Sequence, residues 1–405
     1  MKHQLFFELL RTAIGQRKVL SAVPSAKEWE ALYGLLSKHT LLGIGYAAIQ
    51  KLPQEQWPPK MLVLKWTSVA TAISRQNKTL NEECKSLCEE FRHDGVSSVV
   101  IKGQSNLENY PEELCWYRTP GDIDLWCQAR NGVEIGEMVN GEVVKSEFHG
   151  IAGVIEYCKQ YERCRGRDIP WHRVLYYHCE LKSDNGIAIE PHYRISYLHS
   201  PIRNHRLQKW FKNQFDVCLQ NKCQLGFPVL TPSVNVVYQL VHLYRHVFEG
   251  GIGLRQLMDY YFALRVWHND VMECKDLQSQ GMWSEGLGTP VMSATEIMAV
   301  LRSFGMAKFA SAVMFVLQEV FAIPTHYYIC KPNEKEGKKL LAEIMQGGNF
   351  GHYDTRDAEL KRGGMMKHGL WKLKRVMRLV RSYPEEALWE PVFRVWHLGW
   401  RMIHG

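Results

Sequence analysis

A change of hydrophobic period in the middle of the chain limits its fold more than any other feature. From residue 1 to about 93 apolar residues recur every three or four positions, as in "WEALYGLLSKHTLLGIGYAAIQKL" and "MLVLKWTSVATAISRQNKTLNEECKSLCEEFRHDG", with the turn-forming "QWPPK" between them. That spacing puts the apolar side chains on one face of a helix. The period then shortens. "VSSVVIK" (96–102) and "GDIDLWC" (121–127) read as strands separated by a short helix at "SNLENY". Further on, "VLYYHCELKS" and "GIAIEPHYRI" flank "DNG" (184–186), where Asn-Gly accepts the positive φ angles of a tight hairpin. From about 204 the helical period returns: "TPSVNVVYQLVHLYRHVFE" opens on a capping residue and a proline, and "GLRQLMDYYFALRVW" follows a glycine-rich turn. The pattern predicts an α+β chain with an α/β core flanked by N-terminal and C-terminal helical regions. Loops are expected at "KPNEKEGKK" (331–339) and "GGNFGHYDTRDAELKRGG" (347–364).

One strand carries charge where strands rarely do. In "GDIDLWC", Asp122 and Asp124 stand at i and i+2, so both carboxylates project from one face while Ile123 and Leu125 point into the core. Buried carboxylates are costly unless paired or bound to a cation. Glu190, in the second strand of the expected hairpin, would complete a three-carboxylate cluster if that strand lies beside "GDIDLWC". Oxygen ligands of this kind suit Mg²⁺ or Mn²⁺, which combine carboxylates, waters and phosphates in octahedral geometry. Lys102 and Gly103 end the preceding strand, where a glycine lets phosphate approach backbone N–H groups. Arg118, four residues before Asp122, carries a charge complementary to a triphosphate.

The order "VVIKGQS", "YRTPGDIDLW", "IAIEPH" resembles the nucleotidyltransferase superfamily of DNA polymerase beta. More closely, it is similar to the bacterial uncharacterised nucleotidyltransferases, with their Lys-Gly turn, an Arg before Gly-Asp-Ile-Asp-Leu and a Glu-x-His strand. "HLYRHVFEGGIGLRQLMDYYFAL" resembles the helical part of that family, so the likeness covers roughly 96–265. It implies a mixed sheet with helices and metal ligation by Asp122 and Asp124. It also implies Glu190 as third ligand and aid to deprotonation of an attacking hydroxyl, an NTP as donor, and phosphate contacts from Lys102, Gly103, Ser105, Arg118 and the Gly121 turn. Two features depart from the superfamily: Gln104 follows Gly103, putting Ser105 one place late, and the interval from Gly103 to Asp122 is long. The expected division is an N-terminal helical region (1–93), the nucleotidyltransferase core (94–200), a helical substrate-side domain (201–330), and a C-terminal loop with basic amphipathic helices (331–405).

Other patterns have plainer readings. His242, His246 and Glu249 share a helical face, but "HLYRH" lacks the glutamate of a zinc protease, and a packed helix face accounts for it. Arg255 and Asp259 stand one turn apart and are expected to pair. "GGIG" (250–253) lacks the Gly-Lys-Ser/Thr of a P-loop and reads as an interhelical turn. His192, beside Glu190, either orients a carboxylate, touches substrate or fills a structural place. The chain of 405 residues carries a net charge of +8. The segment 361–382, with eight Lys/Arg and no Asp/Glu, accounts for all of that excess. Leu370, Leu373, Met377 and Val380 recur there at helical spacing, giving an amphipathic helix that is either solvated, nucleic-acid-binding or lipid-contacting. Eleven cysteines without zinc-knuckle spacing fit a reduced, cytoplasmic compartment, and no run approaches the roughly 18 apolar residues that span a bilayer. The acceptor is illegible. A catalytically silent regulatory protein with this fold, or a transferase acting on nucleic acid, are the alternatives.

Overall fold

The computed structural model describes residues 3–139, 142–279, 291–356, 358–361 and 363–404. The chain divides into two compact units, each assembled from three stretches: Met1–Lys78, Leu107–Pro120 and Pro232–Pro384 form one, and Thr79–Asn106, Gly121–Thr231 and Glu385–Gly405 the other. The fold is α+β, with a small mixed sheet among many helices.

Among the described residues the first unit is helical. Two of its helices, Ala26–Lys38 and Ala294–Ser303, begin with reciprocal capping boxes in which Ser25 pairs with Glu28 and Ser293 with Glu296. Close packing depends on glycine at a few contacts. In the helix Leu42–Lys51, a Cβ at Gly43 would lie 2.1 Å from the carbonyl oxygen of Tyr117. Helices Pro232–Glu249 and Leu254–Ser279 are joined by the expected "GGIG" turn. That turn packs on the segment 349–351: a Cβ at Gly250 would stand 2.8 Å from the Phe350 oxygen.

The loop expected at 331–339 is mostly helix. The helix Glu334–Gly347 starts there because the Asn333 side chain accepts the Glu336 N–H at 3.1 Å, and Gly337 packs under Phe315, where a Cβ would come within 2.4 Å. Likewise, the segment 347–364 contains a 3-10 turn, Asn349–Gly351, and a short helix, Ala358–Lys361; Asp357 and Arg362 lie outside the described residues. The basic segment forms the helix Met365–Leu379. Its apolar stripe does not face the core: Leu370, Leu373 and Met377 are exposed, and among its described side chains the buried ones are Trp371, Val376 and the charged Arg375.

The second unit holds the sheet. Its strands are β1 (Ser97–Ile101), β2 (Ile123–Gln128), β3 (Val133–Val139), β4 (Glu142–Phe148), β5 (Leu181–Lys182) and β6 (Ala188–His192). Four of them order as β1-β2-β6-β5, with β2 and β6 parallel and the other pairs antiparallel, while β3 and β4 form a separate hairpin. Period-two alternation sends Ile123, Leu125, Cys127 and Ile189 into one core together with Phe91, Val154 and Cys158. The "DNG" turn joins β5 to β6 as expected, with Gly186 at φ +76°. The loop at Pro228–Val229 covers the far side of β1, its Pro228 carbonyl accepting the Val100 N–H at 2.8 Å.

Candidate active site

The sheet register assembles the carboxylates. Asp124 of β2 lies directly opposite Glu190 of β6, and Asp122 immediately precedes β2. On the other side, β1 ends at Ile101 opposite Asp124, so Lys102 arrives beside the cluster. Lys102 has φ +55°, a left-handed backbone that non-glycine residues adopt only when held there. The hold is visible: its carbonyl accepts the Ser105 hydroxyl at 2.8 Å and the Asn106 N–H at 3.1 Å. The Lys102 ammonium bonds to Asp124 Oδ1 and lies 3.7 Å from Glu190 Oε2.

Donor atoms of Asp122, Asp124 and Glu190 all lie within 4.8 Å of one another, and a second group of the same kind consists of His178, Glu190 and His192. His192 Nε2 stands 2.9 Å from Asp124 Oδ1 and 3.3 Å from Glu190 Oε2, bridging the two acids from a fully buried ring. His178 Nδ1 is 3.7 Å from Glu190 Oε2. The electrostatics split the three acids. Asp122 is exposed, and repulsion from Asp124 is the main reason its pKa rises to about 6. Asp124 is buried, and loss of water pushes its pKa to about 7 against the opposing pull of Lys102. Burial also opposes the charge on Glu190, but His178, Lys102 and His192 outweigh it and hold that carboxyl well below its usual range.

This donor set fits a hard divalent cation. The clearest sign is Asp124 Oδ2, a buried oxygen with no hydrogen-bond partner, which is costly unless a cation meets it. Mg²⁺ or Mn²⁺ would take oxygens of Asp122, Asp124 and Glu190, leaving further positions for water or phosphate.

The remaining expected residues are placed as follows. Gly103 is buried, has a negative φ and would tolerate a Cβ, whose nearest neighbour is the Asp122 oxygen at 3.5 Å. Gln104 Nε2 donates to Asn81 Oδ1 at 2.6 Å inside the second unit, so the departure from a Gly-Ser turn is absorbed as packing. Ser105 is buried, its hydroxyl engaged by the Lys102 carbonyl. Gly121 is exposed ahead of β2. Arg118 belongs to the first unit, where Nε and Nη2 take the two oxygens of Asp259 at 2.7 and 2.8 Å. Asp259, expected from its spacing to pair with Arg255, thus has Arg118 on both oxygens, while Arg255 Nη1 donates to the Thr119 carbonyl at 2.8 Å. At the "HLYRH" segment, Glu249 faces His246 at 3.1 Å and Arg245 at 3.3 Å. Among the described residues that group is not one of the metal-capable clusters. Sequence reasoning missed His178, which reaches Glu190 through a bridge with His192 and carries no local signature. It also missed β3 and β4, although Asn140-Gly141 between them is a hairpin signal; those two residues lie outside the described set.

The model of the uncharacterised nucleotidyltransferase family matches residues 25–282, more than half of the chain. The chain belongs to that family. No curated protein and no solved structure matches it.

Proposed function

We propose that the chain transfers a nucleoside monophosphate from an NTP to a hydroxyl-type acceptor, using Mg²⁺ or Mn²⁺ held by Asp122, Asp124 and Glu190. The observation that carries this reading is the convergence of those three acids where the start of β2 lies beside parallel β6, with a buried, unpartnered oxygen on Asp124. Family membership supports the reaction class. In the reaction the acceptor oxygen forms a new bond to the α-phosphorus, the bond from that phosphorus to the bridging oxygen breaks, and pyrophosphate leaves with the electron pair. The acceptor's proton passes to the carboxylate cluster, with Glu190 aiding the deprotonation. The bound ions would offset charge on the transferring group. Lys102 offers a compact ammonium to phosphate oxygens, and Gly103 the start of the phosphate turn.

A silent, ligand-binding relative is the second reading, favoured by the Lys102 ammonium already resting on Asp124. Calorimetric titration with each NTP, with and without Mg²⁺, separates the two. Metal-dependent NTP binding by the wild type, with turnover reduced roughly a thousandfold or more in Asp124→Asn, about 4 kcal/mol of transition-state stabilisation, supports the enzyme. Turnover retained in Asp124→Asn removes it, and absence of Mg-NTP binding leaves the silent reading.

A further inference from the structure

The first unit contains a cavity of about 320 Å³ walled by the end of the helix Pro232–Glu249, the glycine turn that follows it, and the helices Glu334–Gly347 and Met365–Leu379. Val247, Ile252, Leu340, Ile344, Leu379 and Tyr383 supply apolar walls. Into this lining comes Arg375, only 6 % exposed. Its Nη2 donates to the Val247 carbonyl at 2.8 Å, while its Nε, fully buried, has no acceptor. A buried guanidinium with an unused N–H is costly, so the missing acceptor calls for an explanation.

The wall carboxylates do not supply it. Glu343 and Asp354 are both committed to Arg356, at 2.7 and 2.8 Å, and Glu336 is held by Lys339 at 2.9 Å and Lys308 at 3.5 Å. The lining itself carries three cations (Lys339, Arg375 and Arg378) and three carboxylates, and each carboxylate is in an ion pair with a cation other than Arg375. Burial lowers the Arg375 pKa to about 10, which still leaves it charged at neutral pH. Glycine preserves the space beside it: a Cβ at Gly251 would already lie 3.5 Å from Arg375 Nη2, at φ +130°.

We propose that this cavity binds a small organic carboxylate, with Arg375 as the anion receptor. The guanidinium carries the charge and the planar N–H donors that match a carboxylate's oxygens, and the apolar walls cover the body of the ligand. The volume is at the low end of small-molecule sites, which run from roughly 300 Å³ upward. The site does not depend on the transfer chemistry: the family match ends at residue 282, before two of the walling helices begin.

The test is calorimetry on the full chain with hexanoate and phenylacetate as probes, hexanamide as the neutral isostere and inorganic phosphate as the anion without an apolar body. At least one carboxylate is expected to bind, more tightly than phosphate, with no detectable binding of hexanamide. Arg375→Met, which keeps the bulk and removes the fork, is expected to weaken binding roughly tenfold or more. Leu340→Trp, which fills the cavity and leaves Arg375 in place, is expected to abolish it. No carboxylate binding at millimolar concentration, phosphate binding at least as tight as either carboxylate, or unchanged affinity in whichever variant folds would each overturn the proposal.

Discussion

Lys102 occupies the place a metal would compete for, and this makes its contribution measurable apart from catalysis. Its ammonium is the partner of buried Asp124 and lies near Glu190, so Lys102→Ala leaves like charges facing each other. The expected loss is about 3 kcal/mol in the presence of a chelator, by urea unfolding. Saturating Mg²⁺ should restore more of it in the variant than it adds to the wild type; equal gains in both proteins would mean that lysine and ion do not share a place. Arg118 is the contrasting case. Its bidentate pair with Asp259, which also accepts the Tyr110 hydroxyl at 2.6 Å, is buried at both ends. Arg118→Ala is expected to cost about 3–5 kcal/mol of unfolding free energy, with much of it recovered by the double change Arg118→Met/Asp259→Leu. Double-mutant unfolding curves decide. Asp-Ile-Asp-Leu was readable because its period is local; the partner of Arg118 stands 141 residues away, where no spacing rule reaches.

Between elements, a single histidine ties two helices. His39 follows the helix Ala26–Lys38, its Nδ1 accepting the Leu254 N–H at 3.4 Å at the start of Leu254–Ser279, with its ring stacked on Phe6 at 5.8 Å. Accepting that N–H requires a neutral ring, and burial lowers the pKa to about 3. Between about pH 6.5 and 3 the unfolded chain therefore binds a proton that the folded chain does not. This contribution is complete above pH 6.5 and falls by roughly 1.4 kcal/mol per pH unit on acidification. Unfolding of His39→Gln across that window should show a shallower slope than wild type by about one proton; identical slopes would place the proton elsewhere. At this scale strands β1, β2, β5 and β6 followed the hydrophobic period, and the β3–β4 hairpin was equally signalled, by buried Val133 and Ile135 around exposed Glu134. The apolar stripe of the basic helix is exposed at Leu370, Leu373 and Met377, because periodicity identifies a stripe without saying which neighbour it meets.

Across the whole molecule, all eleven cysteines are free thiols, so stability rests on packing and polar pairing without cross-links. Their burial predicts a graded reaction with a disulfide reagent. Cys164 is exposed and should react first, Cys115, Cys274 and Cys330 more slowly, and the remaining seven only on unfolding. Cys164→Ser should remove the fast phase; a fast phase that persists would contradict the burial pattern. Among the described residues no helix is long and apolar enough to cross a membrane.

The sequence alone determined the fold class, the sheet strands that carry Asp122, Asp124 and Glu190, and the family to which those residues belong, because each rests on spacings of a few residues and on side-chain chemistry. Tertiary structure alone decided that each compact unit draws on three separated stretches and that β2 and β6 run parallel with Asp124 opposite Glu190. It also decided that Lys102 and His192 converge on that pair, and that Arg375 turns inward from a basic helix. Those outcomes depend on which distant surfaces exclude water together, and hydrophobic contact carries no direction or address along the chain.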